Sequence, residues 1–169
     1  MVKKIFLPIF CALIGLSSSC GIYSFTGASV DPAAATVNVE EFTNNADYVN
    51  PTLAQKLTRS LRDKITSQTK LAQVNSPQVD YIFKSTITQY STSTVAVTDV
   101  EQAATARLTV AVKVEFISNI NPDDDFTQTF SRSADFAANK TLDQVQGSLI
   151  EDIGDQIIQD IFNKAFVNW

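Results

Sequence analysis

The sequence predicts an α+β domain: a two-layer sandwich in which one mixed, four-stranded sheet carries two helices on one face. Three observations predict it. Four segments alternate apolar and polar residues at the two-residue period of a strand, two segments repeat apolar residues at the period of a helix, and they follow one another as strand, helix, three strands, helix. In every strand one face is apolar and the other is Thr, Ser and charge, so both helices must cover the same side while the other side stays in water.

The first strand is Thr36 to Phe42, where Val37 and Val39 alternate with polar neighbours. Asn50 and Pro51 then form an N-cap and first-turn pair, and Leu53, Leu57, Leu61 and Ile65 recur every fourth residue along one helical face up to about Lys70. The second strand, Val79 to Tyr90, is rich in aromatic and β-branched residues and sets Val79, Tyr81, Phe83 and Ile87 against Asp80, Lys84, Thr86 and Thr88. A helix connects these two strands, which makes them parallel. Arg107 to Phe116 has the clearest alternation, with Leu108, Val110, Val112, Val114 and Phe116 inward, and reads as a central strand. Across the turn Asn121-Pro122-Asp123-Asp124-Asp125, the segment Phe126 to Phe136 turns Phe126, Phe130, Ala134 and Phe136 inward, which makes the pair an antiparallel hairpin. Thr141 and Gln144 form a capping box for the last helix, whose core line is Leu142, Val145, Leu149, Ile153, Ile157 and Ile161.

Ahead of this domain lies an address. Lys3 and Lys4 precede an apolar run from Ile5 to Leu16, too short for a finished transmembrane helix, and Ser17, Ser18 and Ser19 follow it. Small residues directly before Cys20, with Gly21 after it, resemble a bacterial lipoprotein box, in which the cysteine sulfur takes up a diacylglycerol. Cys20 is therefore the expected lipid anchor; the alternative is an ordinary signal with a chance cysteine. The division expected is a signal peptide over 1–19, a lipidated tether over 20–35 and a single domain over 36–169. Cys11 falls in the discarded part, so an acylated Cys20 leaves no thiol for a disulfide.

Composition excludes several functions. The whole chain carries a net charge of −5, and loss of Lys3 and Lys4 makes the mature protein more acidic still, which argues against nucleic acid as a partner. There is no histidine, which removes Ser/His/Asp and Cys/His catalysis and the commonest zinc ligand. The five glycines form no phosphate-binding loop. Asp123, Asp124 and Asp125 lack the spacing of a calcium loop and read as turn residues, with a calcium site as the lesser alternative. No catalytic residue, metal or cofactor is expected.

Two surfaces are left over once the core is assigned. Lys56, Arg59, Arg62 and Lys70 fall opposite the leucines of the first helix and form a basic stripe, read either as a solvated face or as contacts for an anionic ligand or partner. Ile158, Phe162, Phe166 and Trp169 line the last helix roughly opposite its core line, so that end needs a second cover. The cover is either internal, from Tyr23 and Phe25 of the tether, or an external partner.

The Cys20-Gly21 start with its aromatic tether, the Val37-x-Val39 strand, the leucine-spaced helix after Asn50-Pro51-Thr52-Leu53, the hairpin, and a terminal helix running into Ile161-Phe162-Asn163 and Asn168-Trp169 resemble the lipopolysaccharide-assembly lipoprotein family LptE, in the version carried by Bacteroidota. The resemblance spans nearly all of Cys20 to Trp169. It implies a non-enzymatic, outer-membrane lipoprotein that plugs the β-barrel LptD and assists passage of lipopolysaccharide to the surface. Its partners would be LptD, lipopolysaccharide and, through the acyl chains, the membrane. The alternative is an envelope lipoprotein acting as a structural scaffold or lipid-binding module; a lipid carrier needs an apolar cavity, which Phe83, Phe116, Phe130 and Phe136 look large enough to fill.

Overall fold

The computed structural model of the chain describes residues 28–48, 50–95 and 104–167. Cys20, the signal segment, Tyr23, Phe25 and Trp169 lie outside the described residues. Within them the elements follow in the order β1 (Thr36–Val39), β2 (Thr43–Asn44), α1 (Leu53–Gln68), β3 (Ala72–Gln73), β4 (Tyr81–Val95), β5 (Thr105–Ser118), a short 3-10 turn (Pro122–Asp124), β6 (Phe126–Ala137) and α2 (Leu142–Phe166). One mixed sheet runs β3-β1-β4-β5-β6, with β2 pairing on β4 beyond the end of β1. Both helices pack on one face, and the α+β sandwich expected from the sequence is the fold observed.

The sheet has six strands where the sequence pattern marks four. The additional two, β2 and β3, are two residues each, and both are made by pairing: β3 lies parallel to β1, and β2 parallel to β4. A two-residue strand has no period to read. The parallel pairing of the first two expected strands is observed, with Val37 opposite Tyr81 and Val39 opposite Phe83. The hairpin expected across the acidic turn is also present, with Phe116 opposite Phe126 and Val112 opposite Phe130.

β4 outruns its expected end at Tyr90 by five residues. The added Ser91 to Val95 find partners from Thr109 to Thr105 on β5, so pairing carries the strand past the point where burial stops. A register shift between Ile87 and Gln89 moves the inward set by one residue, which brings Tyr90 opposite Val110 on the core side. Without it, the period-2 rule would turn Tyr90 to water.

Each helix start is satisfied by a side chain. Asn50 Oδ1 accepts from the amides of Thr52 and Leu53 at 3.0 and 3.2 Å, and its Nδ2 donates to Gln146 Oε1 of α2 at 3.0 Å. The capping box at Thr141 and Gln144 is formed, with Thr141 N donating to Gln144 Oε1 at 3.0 Å. The helices approach closely where Gly154 faces Leu57: a Cβ added there would sit 3.2 Å from Leu57 Cδ2.

Stacked and edge-on rings fill the space between sheet and helices. Phe83 and Phe116 lie 4.8 Å apart by ring centroid, and Phe166 meets Tyr81, Phe83 and Phe116 at 5.7 to 6.0 Å. Each such side chain contributes about 1.5–3 kcal/mol by leaving water. A second device closes the foot of the sheet. The Asp80 carboxylate accepts at 2.8 Å from the amides of Ala35 and Thr36 and from the Thr36 hydroxyl, and Ser29 N donates to Phe166 O at 2.6 Å. Residues 28–35, the latter part of the expected tether, are thus held to the domain, with Ala28, Val30 and Ala34 packed on the core.

Candidate functional site

The sheet face turned away from the helices is lined mostly by Thr, Ser and charged residues of β4, β5 and β6. The register places Lys84, Glu115 and Thr127 in one cross-strand row and Thr86, Lys113 and Thr129 in the next. Further along, Ser91, Thr109 and Ser133 share a row, and Ser93, Arg107 and Asp135 another. The rows are bonded laterally. Thr43 Oγ1 and Thr86 Oγ1 are 3.0 Å apart, Thr109 Oγ1 and Ser133 Oγ are 2.9 Å apart, and Arg107 makes a two-pronged contact to Asp135 at 2.6 and 2.9 Å. The hydrogen bond from Arg107 holds the Asp135 carboxyl below the usual aspartate range. Such a face offers many hydroxyl donors and acceptors already held in line, with Ile82, Ile117 and Ala111 among its apolar members.

This surface is built from residues that sequence periodicity assigned to solvent without a task. Arg107 and Asp135 were the legible part: equal steps back from the turn at Asn121 put these opposite charges across from each other. The Thr109–Ser133 pair follows from the same equal steps, whereas the Thr43–Thr86 pair could not be read, because it joins strands brought together from distant parts of the chain.

The basic stripe on α1 does not survive as a unit. Arg62 folds back onto the sheet, its Nε and Nη2 donating to the Val39 carbonyl at 3.2 and 2.6 Å. Lys56 reaches Glu151 of α2 at 3.6 Å. Arg59 remains exposed and borders a shallow surface cleft with Thr52, Lys56 and Asp63, while Lys70 lies beyond the end of the helix. A helical wheel measures only angle; it omits the strand end and second helix that take two of these four cations.

The apolar line on α2 is corrected by the structure more sharply. Ile158, Phe162 and Phe166 are 3, 1 and 2% exposed and belong to the one core, so they present no surface to a partner in the folded domain. The need for a second cover was real, and α1 supplies it. Gly154 meets Leu57, and Lys64 of α1 stands over the Phe162 ring at 6.0 Å, whereas Phe166 packs on the sheet. One helix wedged between a sheet and another helix needs a wide apolar arc, which on a wheel looks like two opposed lines. Trp169, the last member of that line, lies outside the described residues.

Asp123, Asp124 and Asp125 form the turn that their sequence suggested. Asn121 Oδ1 accepts from Asp123 N, and Asp125 Oδ1 accepts from Ser118 N at 2.7 Å, closing the hairpin. Among the described residues no group of three acidic or thiol side chains is placed to hold a metal ion. The turn borders a polar cleft of about 450 Å³ shared with Ser29 to Pro32, Tyr81 and Lys164. Burial pushes the Tyr81 hydroxyl above its ordinary range.

The class that emerges is a two-layer α+β domain with a ring-filled core and one wet sheet face. Its fold is shared with a minor lipoprotein from Acinetobacter baumannii (TM-score 0.53, 12% identity, covering 79% of this chain and 92% of that one). It is shared also with lipoprotein B from Nitrosomonas europaea (0.53, 12%, 84% and 86%) and the hypothetical protein CT253 from Chlamydia trachomatis (0.53, 10%, 80% and 100%). No curated protein matches this chain in sequence. The family model described as LptE, lipopolysaccharide-assembly, matches residues 34–165, and the chain belongs to that family.

Proposed function

We propose that this protein is an outer-membrane lipoprotein, anchored through acyl chains on Cys20, that occupies the lumen of the LptD β-barrel and assists lipopolysaccharide transport and assembly at the outer membrane. The observation that carries the reading is the open sheet face. A plug in a barrel meets a polar lumen wall, and rows of Thr and Ser hydroxyls with the Arg107–Asp135 ion pair among them suit a wet interface rich in hydrogen bonds. The filled core supports the same reading against a lipid-binding module, because ring contacts occupy the space where a carried acyl chain would lie. Lys56, Arg59 and Lys70 remain candidates for lipopolysaccharide phosphates; Arg62, already engaged with Val39, is the weakest of the original four.

The test is a pull-down from detergent-solubilised envelope, paired with depletion. The barrel should co-purify, and depleted cells should lose surface lipopolysaccharide and correctly assembled LptD. Normal lipopolysaccharide and normal LptD after depletion would sink the proposal and favour a structural scaffold. Mass spectrometry of the mature N-terminus tests the anchor separately, since any N-terminus other than an acylated Cys20 removes it.

A further inference from the structure

Residues 28–35 cross the foot of the sandwich as a strap that is neither helix nor strand. It is tied at two places. At one end a single oxygen of the Asp80 carboxylate accepts from the Ala35 amide, the Thr36 amide and the Thr36 hydroxyl, each at 2.8 Å, and Thr36 Oγ1 accepts from Asp80 N at 3.1 Å in return. At the other end Ser29 N donates to Phe166 O at 2.6 Å, so the strap satisfies a carbonyl that the end of α2 leaves open. Between them Asp31 makes a turn within the strap, its Oδ1 accepting from Ala33 N at 2.8 Å and its carbonyl from Ala34 N at 2.9 Å, while the Tyr81 hydroxyl lies against the Asp31 main chain.

Ordering a chain segment costs conformational entropy at every residue, and this one offsets little of it by burial. Only Ala28, Val30 and Ala34 pack on the core, each half-buried, while Ser29, Asp31, Pro32, Ala33 and Ala35 are exposed. The hydrogen bonds at the two ends therefore decide whether the strap is closed, and the charged Asp80 end is the stronger. What lies beneath is apolar. Ser29 to Pro32 share a cleft with Tyr81, Phe116 and Phe126, and Phe166, whose carbonyl the strap holds, meets Tyr81 and Phe116 edge-on at 5.7 and 6.0 Å.

We propose that residues 28–35 are a releasable strap coupled to the end of α2: the Asp80 and Phe166 ties hold it jointly, and release at either end frees the other and frays the last turn of the helix. The coupling follows from the balance of terms. A strap held at one end only keeps the entropy cost of its ordered residues and loses half of the bonds that offset it. Once Phe166 O has lost its donor, the helix end has one more open carbonyl and its ring is held less firmly over Tyr81 and Phe116. In the released form these rings and Phe126 lie open at the foot as an apolar patch that the closed form lacks. Pull on the chain ahead of Ala28, whatever its source, acts first on the Ser29 tie. This device is independent of the barrel reading, and either can fail without the other.

The test is native-state amide hydrogen exchange, read by NMR on the purified protein and on its Ser29→Pro and Asp80→Asn variants. In the parent, the amides of Ser29, Ala35, Thr36, Phe166 and Val167 should open together, sharing one protection factor at least about a hundredfold below that of Val112 and Val114 in β5, a readout that needs no variant. Ser29→Pro removes the donor to Phe166 O and should speed exchange of the Ala35 and Thr36 amides at the far end at least about tenfold. Asp80→Asn should do the same to Ser29, Phe166 and Val167, and in both variants the β5 amides should change only by the loss of global stability. An apolar dye such as anilinonaphthalene sulfonate should brighten with Ser29→Pro while β5 stays protected. Strap amides as protected as β5, far-end amides that keep the parent rate in either variant, or a dye that stays dark would each overturn the proposal.

Discussion

Arg59 and Arg62 look alike in sequence, three positions apart on one helix, yet they stand in different places. Arg62 closes the sheet edge by donating twice to the Val39 carbonyl, a charge-assisted bond that no other described side chain replaces. Arg62→Ala should lower stability by about 1–2 kcal/mol, whereas Arg59→Ala should stay within about 0.5 kcal/mol; denaturant melts of the two variants separate them. Asp80 is a second residue whose role is set by its surroundings. The Ala35 amide, followed by the Thr36 hydroxyl and amide, holds its carboxyl below the ordinary 3.8. A carboxylate with a depressed folded pKa contributes stability that is fully present above its unfolded value and lost as the pH falls through the folded one. Asp80→Asn should therefore melt below the parent at pH 7, with the gap closing as both are taken toward about pH 2.

At the scale of elements, α2 shows how far a helical pattern can be read. Its start, its cap and its core line were legible, because a capping box and a run of isoleucines are local signals. The partner of its second apolar line was not legible, since nothing local says that Leu57 and Lys64 will lie against that side. The burial of Phe166 leaves it no surface for the external cover that the sequence left open. Phe166→Asp places an unpaired charge among Tyr81, Phe83 and Phe116, and the isolated domain should lose about 3–5 kcal/mol, measured by thermal or urea unfolding. An unchanged melting temperature would mean that Phe166 is free to face a partner. The β4–β5 hairpin makes the complementary point. Its inner half follows from alternation, while its outer half, Ser91 to Val95 against Thr105 to Thr109, exists because the strands pair beyond the core.

For the molecule as a whole, function rests on surfaces, and the usable basic surface is smaller than the sequence suggested. With Arg62 engaged and Lys56 beside Glu151, the exposed positive charge near the α1 cleft is centred on Arg59. Charge reversal of Lys56 and Arg59 together should weaken lipopolysaccharide binding by the purified domain in low salt, with the difference shrinking as ionic strength rises, and without loss of fold. Binding unchanged at every salt concentration would remove the α1 face as a ligand site and leave the sheet face as the main contact.

The sequence by itself determined the class of fold, the order of the major elements, the wet and dry faces of β1, β5, β6 and of β4 as far as Ile87, the parallel β1–β4 and antiparallel β5–β6 pairings and the family resemblance. Those are consequences of periods of two and 3.6 residues, of caps and of turns, all within a few residues of one another. Only the tertiary structure decided that β2 and β3 exist, that a register shift after Ile87 returns Tyr90 to the core, that Arg62 belongs to Val39, and that the second apolar line of α2 is interior. The reason is the same in each case: the deciding contact joins segments far apart in the chain, and periodicity tells a residue which way it faces without telling it what it will meet.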